Sequence, residues 1–366
     1  MQKNNRILFA VGGTGGHLFP AQALARDLME QRPDIELLFA GGLLASNRYF
    51  QREAFPYREV ASATPFRGGL FKSVDSFVKI GRGVRESIDL LNHFKPQLVV
   101  GFGSFYSFPL LCAAWLKKIP IILFESNAYP GRVNRLFAGR ALFSALQFEE
   151  TAEHLKGEKL LVRMPYWCER SAVHALSKEE ARRAYGLDPS IFTLLVFGGS
   201  QGAQAINSAA LELSLSFPFQ IIHLTGEAKS AKEAEIHYYK RGVRAKVKGF
   251  EDKMHIAWRA ADLVVCRSGA ATLSELIIFE VPGLLVPFPQ AADNHQEINA
   301  QVMERIGGAT WMPQGALTAQ SLATAIEDLM SNNGEKWQRM KQKIAAFKME
   351  EHEREELAQK VLQKIL

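Results

Sequence analysis

The chain has 366 residues, of which 47% are apolar and 22% charged, a composition that excludes intrinsic disorder and is too long for one ordinary core, so two domains are expected. Its net charge of +6 is unevenly spread: residues 1–160 carry 20 Lys+Arg against 14 Asp+Glu, and residues 161–366 carry 24 of each. An anionic partner should therefore meet the first half.

Cys112, Cys168 and Cys266 are isolated, with no CxxC or Cys/His ligand spacing, which fits a reducing compartment and excludes a structural zinc. The first apolar run breaks at Gly12, too early for a signal peptide. No run approaches the roughly 20 apolar residues of a spanning helix, so the expected location is cytoplasmic.

In chain order, short apolar runs predict strands at Arg6–Val11, Ile35–Gly41, Gln97–Gly101, Ile119–Glu125 and Ala141–Ala145, with helical patterns between them. A second set follows at Phe192–Gly198, Phe219–Gly226, Arg244–Val247, Ala261–Arg267 and Gly283–Pro287. This alternation predicts an α/β protein with two Rossmann-like, doubly wound parallel sheets. The strand signals lapse near residues 160–190, which places domains at 1–162 and 163–340. A charged helix is expected to follow from Gly334, with residues 341–366 counted as a separate C-terminal helix. Ile344, Phe347, Leu357, Val361 and Ile365 recur in it at helical spacing and should pack on a surface, on a domain the sequence leaves open.

Both halves open alike: "RILFAVGGTGGH" and "FTLLVFGGSQGAQAIN" each run from a buried strand through a glycine turn into a helix. Glycine lets a ligand approach the backbone, and the helix N-terminus presents unpaired N–H groups to an anion. Neither loop reads GxGxxG, and "IELLFAGG" ends without the acid that holds a ribose hydroxyl in nicotinamide enzymes. GxxxxGK[ST] is absent, and no acid pair resembles a metal-binding DxD.

The second half offers a nucleotide-sugar site instead. A strand delivers Arg267, Ser268 and Gly269 to the sheet mouth, and Glu275 follows on the next helix. Arg267 can neutralise a diphosphate, and Glu275 can accept hydrogen bonds from vicinal ribose hydroxyls. Asp293, Asn294, His295 and Gln296 suit sugar hydroxyls. Taken singly, Glu275 reads as a surface acid and Asp293 or Asn294 as a helix cap.

In series, "GGTGGH", "GGSQGA" with Asn207, "CRSGA-TLSE" and "PFP-AADNHQ-NA" resemble the MurG family. These are the UDP-N-acetylglucosamine:N-acetylmuramyl-(pentapeptide)pyrophosphoryl-undecaprenol N-acetylglucosaminyltransferases, which are similar to glycosyltransferase family 28. The resemblance covers nearly the whole chain and implies a GT-B fold, two Rossmann-like domains facing a cleft. It implies an inverting, metal-free and cofactor-free transfer of N-acetylglucosamine from UDP-N-acetylglucosamine to lipid I, giving lipid II. The second domain would hold the donor. Ser200, Gln201 and Arg267 would lie near the diphosphate, Phe250 near uracil, Glu275 on the ribose, and His295 and Gln296 on the sugar. Asn127 and Asn207 match family positions lining the cleft. Thr14, Gly15 and Gly16 match the first glycine loop, near the acceptor's diphosphate and the donor. His17 is the first candidate for the general base and Glu125 the second.

The sequence departs from the family in three places. Members read H-E-Q-N where this chain has Phe124, Glu125, Ser126 and Asn127. An N-P-x-R segment becomes Met164, Pro165, Tyr166 and Trp167, leaving Arg163 or Arg170 to meet a phosphate. The loop G-G-Y-x-S-x-P becomes residues 103–109, with Ser104 and Phe105 in place of Gly and Tyr.

Residues 64–91 interleave Phe66, Leu70 and Phe71 with Lys72, Lys79 and Arg82, a pattern suited to an anionic membrane surface and equally to a helix covering the sheet. Trp115, Lys117 and Lys118 would extend that patch. The family implies peripheral residence on the cytoplasmic face of the inner membrane, with cell-wall and division proteins as partners and no nucleic acid. The alternatives are a GT-B transferase with another lipid acceptor such as diacylglycerol, a UDP-N-acetylglucosamine 2-epimerase, and a non-catalytic nucleotide-sugar-binding protein.

Overall fold

The computed structural model describes residues 5–63, 70–163, 165, 176–199 and 202–365, without the side chains of 70–75. Phe66, Ser200, Gln201 and Arg170 lie outside the described residues, as do the side chains of Leu70, Phe71 and Lys72. The chain forms two compact units, one of Met1–Trp167 with His352–Leu366 and the other of Cys168–Glu351.

The first unit is built on a parallel sheet of β1 (Arg6–Ala10), β2 (Glu36–Gly41), β3 (Tyr57–Glu59), β4 (Leu98–Gly101), β5 (Ile121–Glu125), β6 (Phe143–Leu146) and β7 (Lys159–Leu161), in the order β3-β2-β1-β4-β5-β6-β7. Helix α1 (Gly15–Gln31) follows β1, α2 (Leu70–Phe94) precedes β4, α3 (Phe108–Leu116) links β4 to β5, and α4 (Arg132–Phe137) follows β5. Both faces of the sheet are buried. Ile7, Phe9 and Val11 enter one core while Leu8 and Ala10 enter the other. This is why the strands read as continuous apolar runs rather than alternating ones.

The second unit repeats the plan with β8 (Phe192–Phe197), β9 (Phe219–Leu224), β10 (Ala245–Lys248), β11 (Leu263–Cys266), β12 (Gly283–Leu285) and β13 (Ala309–Trp311), in the order β10-β9-β8-β11-β12-β13. In each sheet the strand order reverses beside the first strand of the unit, between β1 and β4 and between β8 and β11. Open α/β sheets bind ligands at such switch points, outside the carboxyl ends of the strands.

The C-terminal region differs from the single surface helix of the sequence reading. The helix Ala319–Glu353 is interrupted at residues 331–334, where Asn332, Asn333 and Gly334 adopt left-handed backbone, and a separate helix spans Leu357–Gln363. Ile344 is buried in the second unit. Leu357, Ala358, Val361 and Ile365, in contrast, enter the core of the first unit beside Leu24, Leu28 and Ile35. This return is fixed by polar contacts. Arg163 donates its amide to the Glu355 carbonyl at 3.1 Å and pairs through its guanidinium with Glu356, and Arg354 donates to the Gln147 carbonyl at 2.8 Å. Arg163, considered above for a phosphate, thus anchors the C-terminal segment.

Candidate active site

In the first unit the glycine loop after β1 is shaped by close packing. A Cβ on Gly12 would meet the Gly42 carbonyl oxygen at 2.5 Å, and Gly13, at φ +89°, lies under the Tyr106 ring. Thr14 is the N-cap of α1 in extended geometry and makes no side-chain cap, and the first turn contains no acid. The opening turn of α1 therefore carries neither a side-chain cap nor a competing carboxylate, an arrangement that accommodates an anion. Thr14 is exposed, Gly15 buried, and Gly16 and His17 half-buried.

His17 Nδ1 lies 2.8 Å from the carbonyl oxygen of Phe102, in the loop after β4. A carbonyl only accepts, so Nδ1 carries the proton and Nε2 is the basic nitrogen of the neutral ring. The next residue, Gly103, has φ +76°, and a Cβ there would stand 3.6 Å from His17 Cε1 and 3.3 Å from Asn134 Nδ2. The fold therefore brings the loops after β1 and β4 together with α4.

Asn134 connects His17's neighbourhood to the second candidate base. Its Nδ2 donates to Glu125 Oε2 and to the Phe124 carbonyl, each at 2.9 Å. Glu125 is buried and also accepts from the Gly131 amide at 2.8 Å, the Asn127 amide at 3.0 Å and Asn127 Nδ2 at 2.9 Å. Two backbone and two side-chain donors thus converge on one carboxylate, holding residues 125–134 as a unit. Phe124, where the family has histidine, turns into the core and packs on Phe102 at a ring separation of 5.7 Å.

In the second unit, Gly202 at φ +74° faces the Thr225 carbonyl so closely that a Cβ would meet its oxygen at 2.3 Å. The helix Gln204–Leu211 that follows has neither a side-chain cap nor an acid in its first turn. Asn207 on that helix donates to the Thr225 carbonyl at 3.0 Å and contacts His223. Phe250 is 45% exposed. The adjacent Glu251 is buried and accepts from Tyr185 at 2.9 Å, Lys248 at 2.7 Å and the Lys253 amide at 2.9 Å. Burial works against this carboxylate, but the hydrogen bonds outweigh it and hold its pKa below the ordinary glutamate value.

Arg267 emerges at the end of β11. Its Nη1 donates to the carbonyls of Val286 and Pro287 at 3.0 Å each, its Nη2 to Gln314 Oε1 at 2.6 Å, and its guanidinium sits 5.4 Å from the Phe288 ring centroid. Burial lowers its pKa from the usual value, but a guanidinium remains charged at neutral pH. The structure thus gives Arg267 a bracing role between the loops after β11 and β12. Glu275, in the helix Ala270–Phe279, is 7% exposed, so it is not the solvated surface acid that its position suggested.

Ser268 and Gln296 couple the next two elements. Ser268 Oγ donates to the Gln296 carbonyl at 2.6 Å, its own carbonyl accepts from Asn299 at 3.0 Å, and Gln296 Oε1 accepts from the Phe288 amide at 2.9 Å. His295 Nδ1 bonds the Ala292 carbonyl at 2.7 Å at the start of the helix His295–Ile306. Asn294 is the N-cap in left-handed geometry, and its side chain donates to Glu297 at 2.8 Å instead of capping the helix amides.

Sequence reasoning missed Asn134, His223 and Gln314, and marked Asn299 only as part of the motif "PFP-AADNHQ-NA". Each of the three missed is a single amide or imidazole whose partner lies outside its own motif, so no spacing rule marks it.

Of the predicted membrane segment, residues 70–91 lie on α2, where Phe77, Val78, Lys79 and Arg82 are exposed. Arg82 pairs with Glu86 at 2.7 Å. Trp115, Leu116, Leu136 and Leu142 are further exposed apolar residues of the same unit, and Arg140 lies over the Trp115 ring at 4.9 Å. Among the described residues, no helix is long and apolar enough to cross a membrane.

Two Rossmann-like domains, each with an uncapped helix at the switch point of its sheet, are the architecture of the GT-B nucleotide-sugar enzymes. Residues 7–143 match the glycosyltransferase family 28 N-terminal domain and residues 193–359 the glycosyltransferase family 28 C-terminal domain. The chain is 44% identical over 300 residues to the UDP-N-acetylglucosamine–N-acetylmuramyl-(pentapeptide) pyrophosphoryl-undecaprenol N-acetylglucosamine transferase of Protochlamydia amoebophila, covering 81% of this chain and 80% of the relative. The like-named protein of Halothermothrix orenii is 36% identical over 350 residues, with 92% and 93% covered. The crystal structure of Acinetobacter baumannii MurG matches with a TM-score of 0.74 at 25% identity, covering 99% of each chain. A UDP-glucose:anthocyanidin 3-O-glucosyltransferase shares the fold at 14% identity, with a TM-score of 0.71 and 100% and 99% covered. The chain belongs to glycosyltransferase family 28, and within it to the UDP-N-acetylglucosamine–N-acetylmuramyl-(pentapeptide) pyrophosphoryl-undecaprenol N-acetylglucosamine transferases.

Proposed function

We propose that the protein transfers N-acetylglucosamine from UDP-N-acetylglucosamine to the 4-hydroxyl of the N-acetylmuramyl group of lipid I, yielding lipid II for peptidoglycan synthesis. The observation that carries this reading is the 44% identity to a relative of that name, extending over four-fifths of both chains.

In this reading the first unit receives the acceptor and the second the donor. The acceptor's 4-oxygen attacks the anomeric carbon while His17 Nε2 takes its proton. The bond from that carbon to the diphosphate oxygen breaks, UDP departs with the electron pair, and the configuration inverts. Helix-start amides following Gly202 and Gly269, together with Arg267, oppose the leaving-group charge. Phe250 stacks on uracil, Glu275 accepts from the ribose hydroxyls, and His295 and Gln296 contact the sugar. Thr14, Gly15 and Gly16 cradle phosphate. Glu125 and Asn127 keep the loop after β5 in shape.

The exposed Phe77 and Val78 beside Lys79 and Arg82 support attachment of the first unit to an anionic leaflet, and hence a peripheral position on the cytoplasmic face of the inner membrane. Lys79→Glu with Arg82→Glu should reduce sedimentation with phosphatidylglycerol vesicles, and unchanged sedimentation would place the contact elsewhere.

The test of the reaction is transfer of radiolabelled N-acetylglucosamine to a soluble lipid I analogue in the presence of EDTA, with diacylglycerol as a parallel acceptor. A β-1,4 product on the lipid I analogue alone is expected. Product on diacylglycerol alone would overturn the assigned acceptor.

A further inference from the structure

His223 lies on β9 with no solvent exposure, and the chemistry above does not use it. Both of its ring nitrogens are nonetheless engaged. Nδ1 is 2.9 Å from the Tyr238 hydroxyl, on the helix Ala228–Lys240, and Nε2 is 3.1 Å from Asn207 Oδ1. Asn207 Nδ2 in turn donates to the Thr225 carbonyl at 3.0 Å.

These contacts fix every proton in the chain of bonds. The Thr225 carbonyl can only accept, so the Asn207 amide nitrogen faces it and the amide oxygen faces His223. Nε2 must therefore carry the imidazole proton, and Nδ1 accepts from the Tyr238 hydroxyl. The result is a one-way series from Tyr238 through His223 and Asn207 to Thr225, in a low-dielectric setting that strengthens each bond and penalises breaking any one.

The series ends at the glycine loop. The Thr225 oxygen occupies the space where a Gly202 Cβ would be, 2.3 Å away. The Thr225 and Gly226 amides also donate to the carbonyls of Lys248 and Gly249 at 2.9 Å each, immediately before Phe250. One peptide thus touches the loop after β8 and leads to the segment assigned to the base.

We propose that His223, oriented by Tyr238, is a positioning residue for nucleotide binding: it sets the Asn207 amide, which holds the Thr225 peptide against Gly202 and thereby fixes the start of the helix Gln204–Leu211. The inference rests on the donor-site reading given above.

The test is calorimetric titration of UDP into the full-length protein and into Tyr238→Phe, His223→Gln, Asn207→Ala and the His223→Gln/Asn207→Ala double variant, with thermal unfolding of each. His223→Gln and Asn207→Ala should each weaken UDP binding about tenfold, equivalent to about 1.4 kcal/mol. The double variant should bind no more weakly than Asn207→Ala alone, because His223 acts through that amide. Tyr238→Phe, which preserves the packing, should weaken UDP by a smaller factor. In turnover, KM for UDP-N-acetylglucosamine should rise while KM for the lipid I analogue stays unchanged. Folded His223→Gln and Tyr238→Phe proteins with UDP affinity within twofold of the parent would overturn the proposal, as would fully additive losses in the double variant. No UDP binding by the unaltered protein would overturn the donor site itself, and the relay with it.

Discussion

The imidazole of His17 on α1 and the carbonyl of Phe102 after β4 meet at 2.8 Å, across the switch point of the first sheet. That bond fixes the tautomer and aims Nε2, which is the preparation a general base requires. His17→Ala should lower kcat by about 10²- to 10⁴-fold, the range for a positioned proton acceptor, and leave UDP affinity unchanged. Near-normal turnover in a stopped radiolabel assay would remove His17 from the proton-transfer role.

Glu125 accepts four hydrogen bonds, and both its oxygens are turned toward the protein. In Glu125→Gln the new NH₂ faces N–H donors, so two bonds are lost. Stability should fall by about 1–3 kcal/mol, read from urea unfolding, and activity should fall with it. A variant of parental stability but no turnover would instead identify Glu125 as the base.

Burial pushes the pKa of His223 down to about 4, below the ordinary value near 6.5. The folded form then resists a proton that the unfolded chain accepts, so stability is complete above about pH 6.5 and is lost as pH falls toward 4. Between pH 7 and pH 5 this one group should cost about 2 kcal/mol. The measurement is the difference in unfolding free energy between parent and His223→Gln at the two pH values. A constant difference would mean that His223 does not titrate in this way.

Leu357 and Val361 lie in the first unit's core although the whole second unit precedes them in the chain. Leu357→Ala should destabilise the first unit by about 2–5 kcal/mol, as for other large-to-small core changes. Hydrogen exchange should accelerate in β1 and α1 while β8 and β9 stay protected. Equal acceleration in both sheets would show that the units do not unfold separately.

The strands β1, β5, β8 and β11 are legible because burial on both faces leaves an unbroken apolar signature. The three-residue edge strands at Tyr57–Glu59, Lys159–Leu161 and Ala309–Trp311 were not, since "YRE" and "KLL" have neither the length nor the pattern to register. The glycine loops, Arg267 and the "DNHQ" segment were legible as chemistry, but their contacts were not. Arg267 was expected to point at a diphosphate, and the fold also commits it to Val286, Pro287 and Gln314. Nothing in "GRVNRLF" marks Asn134, and only the tertiary fold brings it to Glu125. Phe124 looked like a lost functional histidine, and the alternation of β5 instead sends its side chain into the core.

The return of residues 352–365 to the first unit makes the second an insertion within it. On the ribosome the usual order of domain maturation is therefore reversed. The second unit is complete in sequence while the first still lacks Leu357, Val361 and Ile365, and until these emerge the first sheet keeps an apolar flank beside α1 uncovered. A chaperone that screens nascent chains should engage the earlier-made domain for longer than the later-made one.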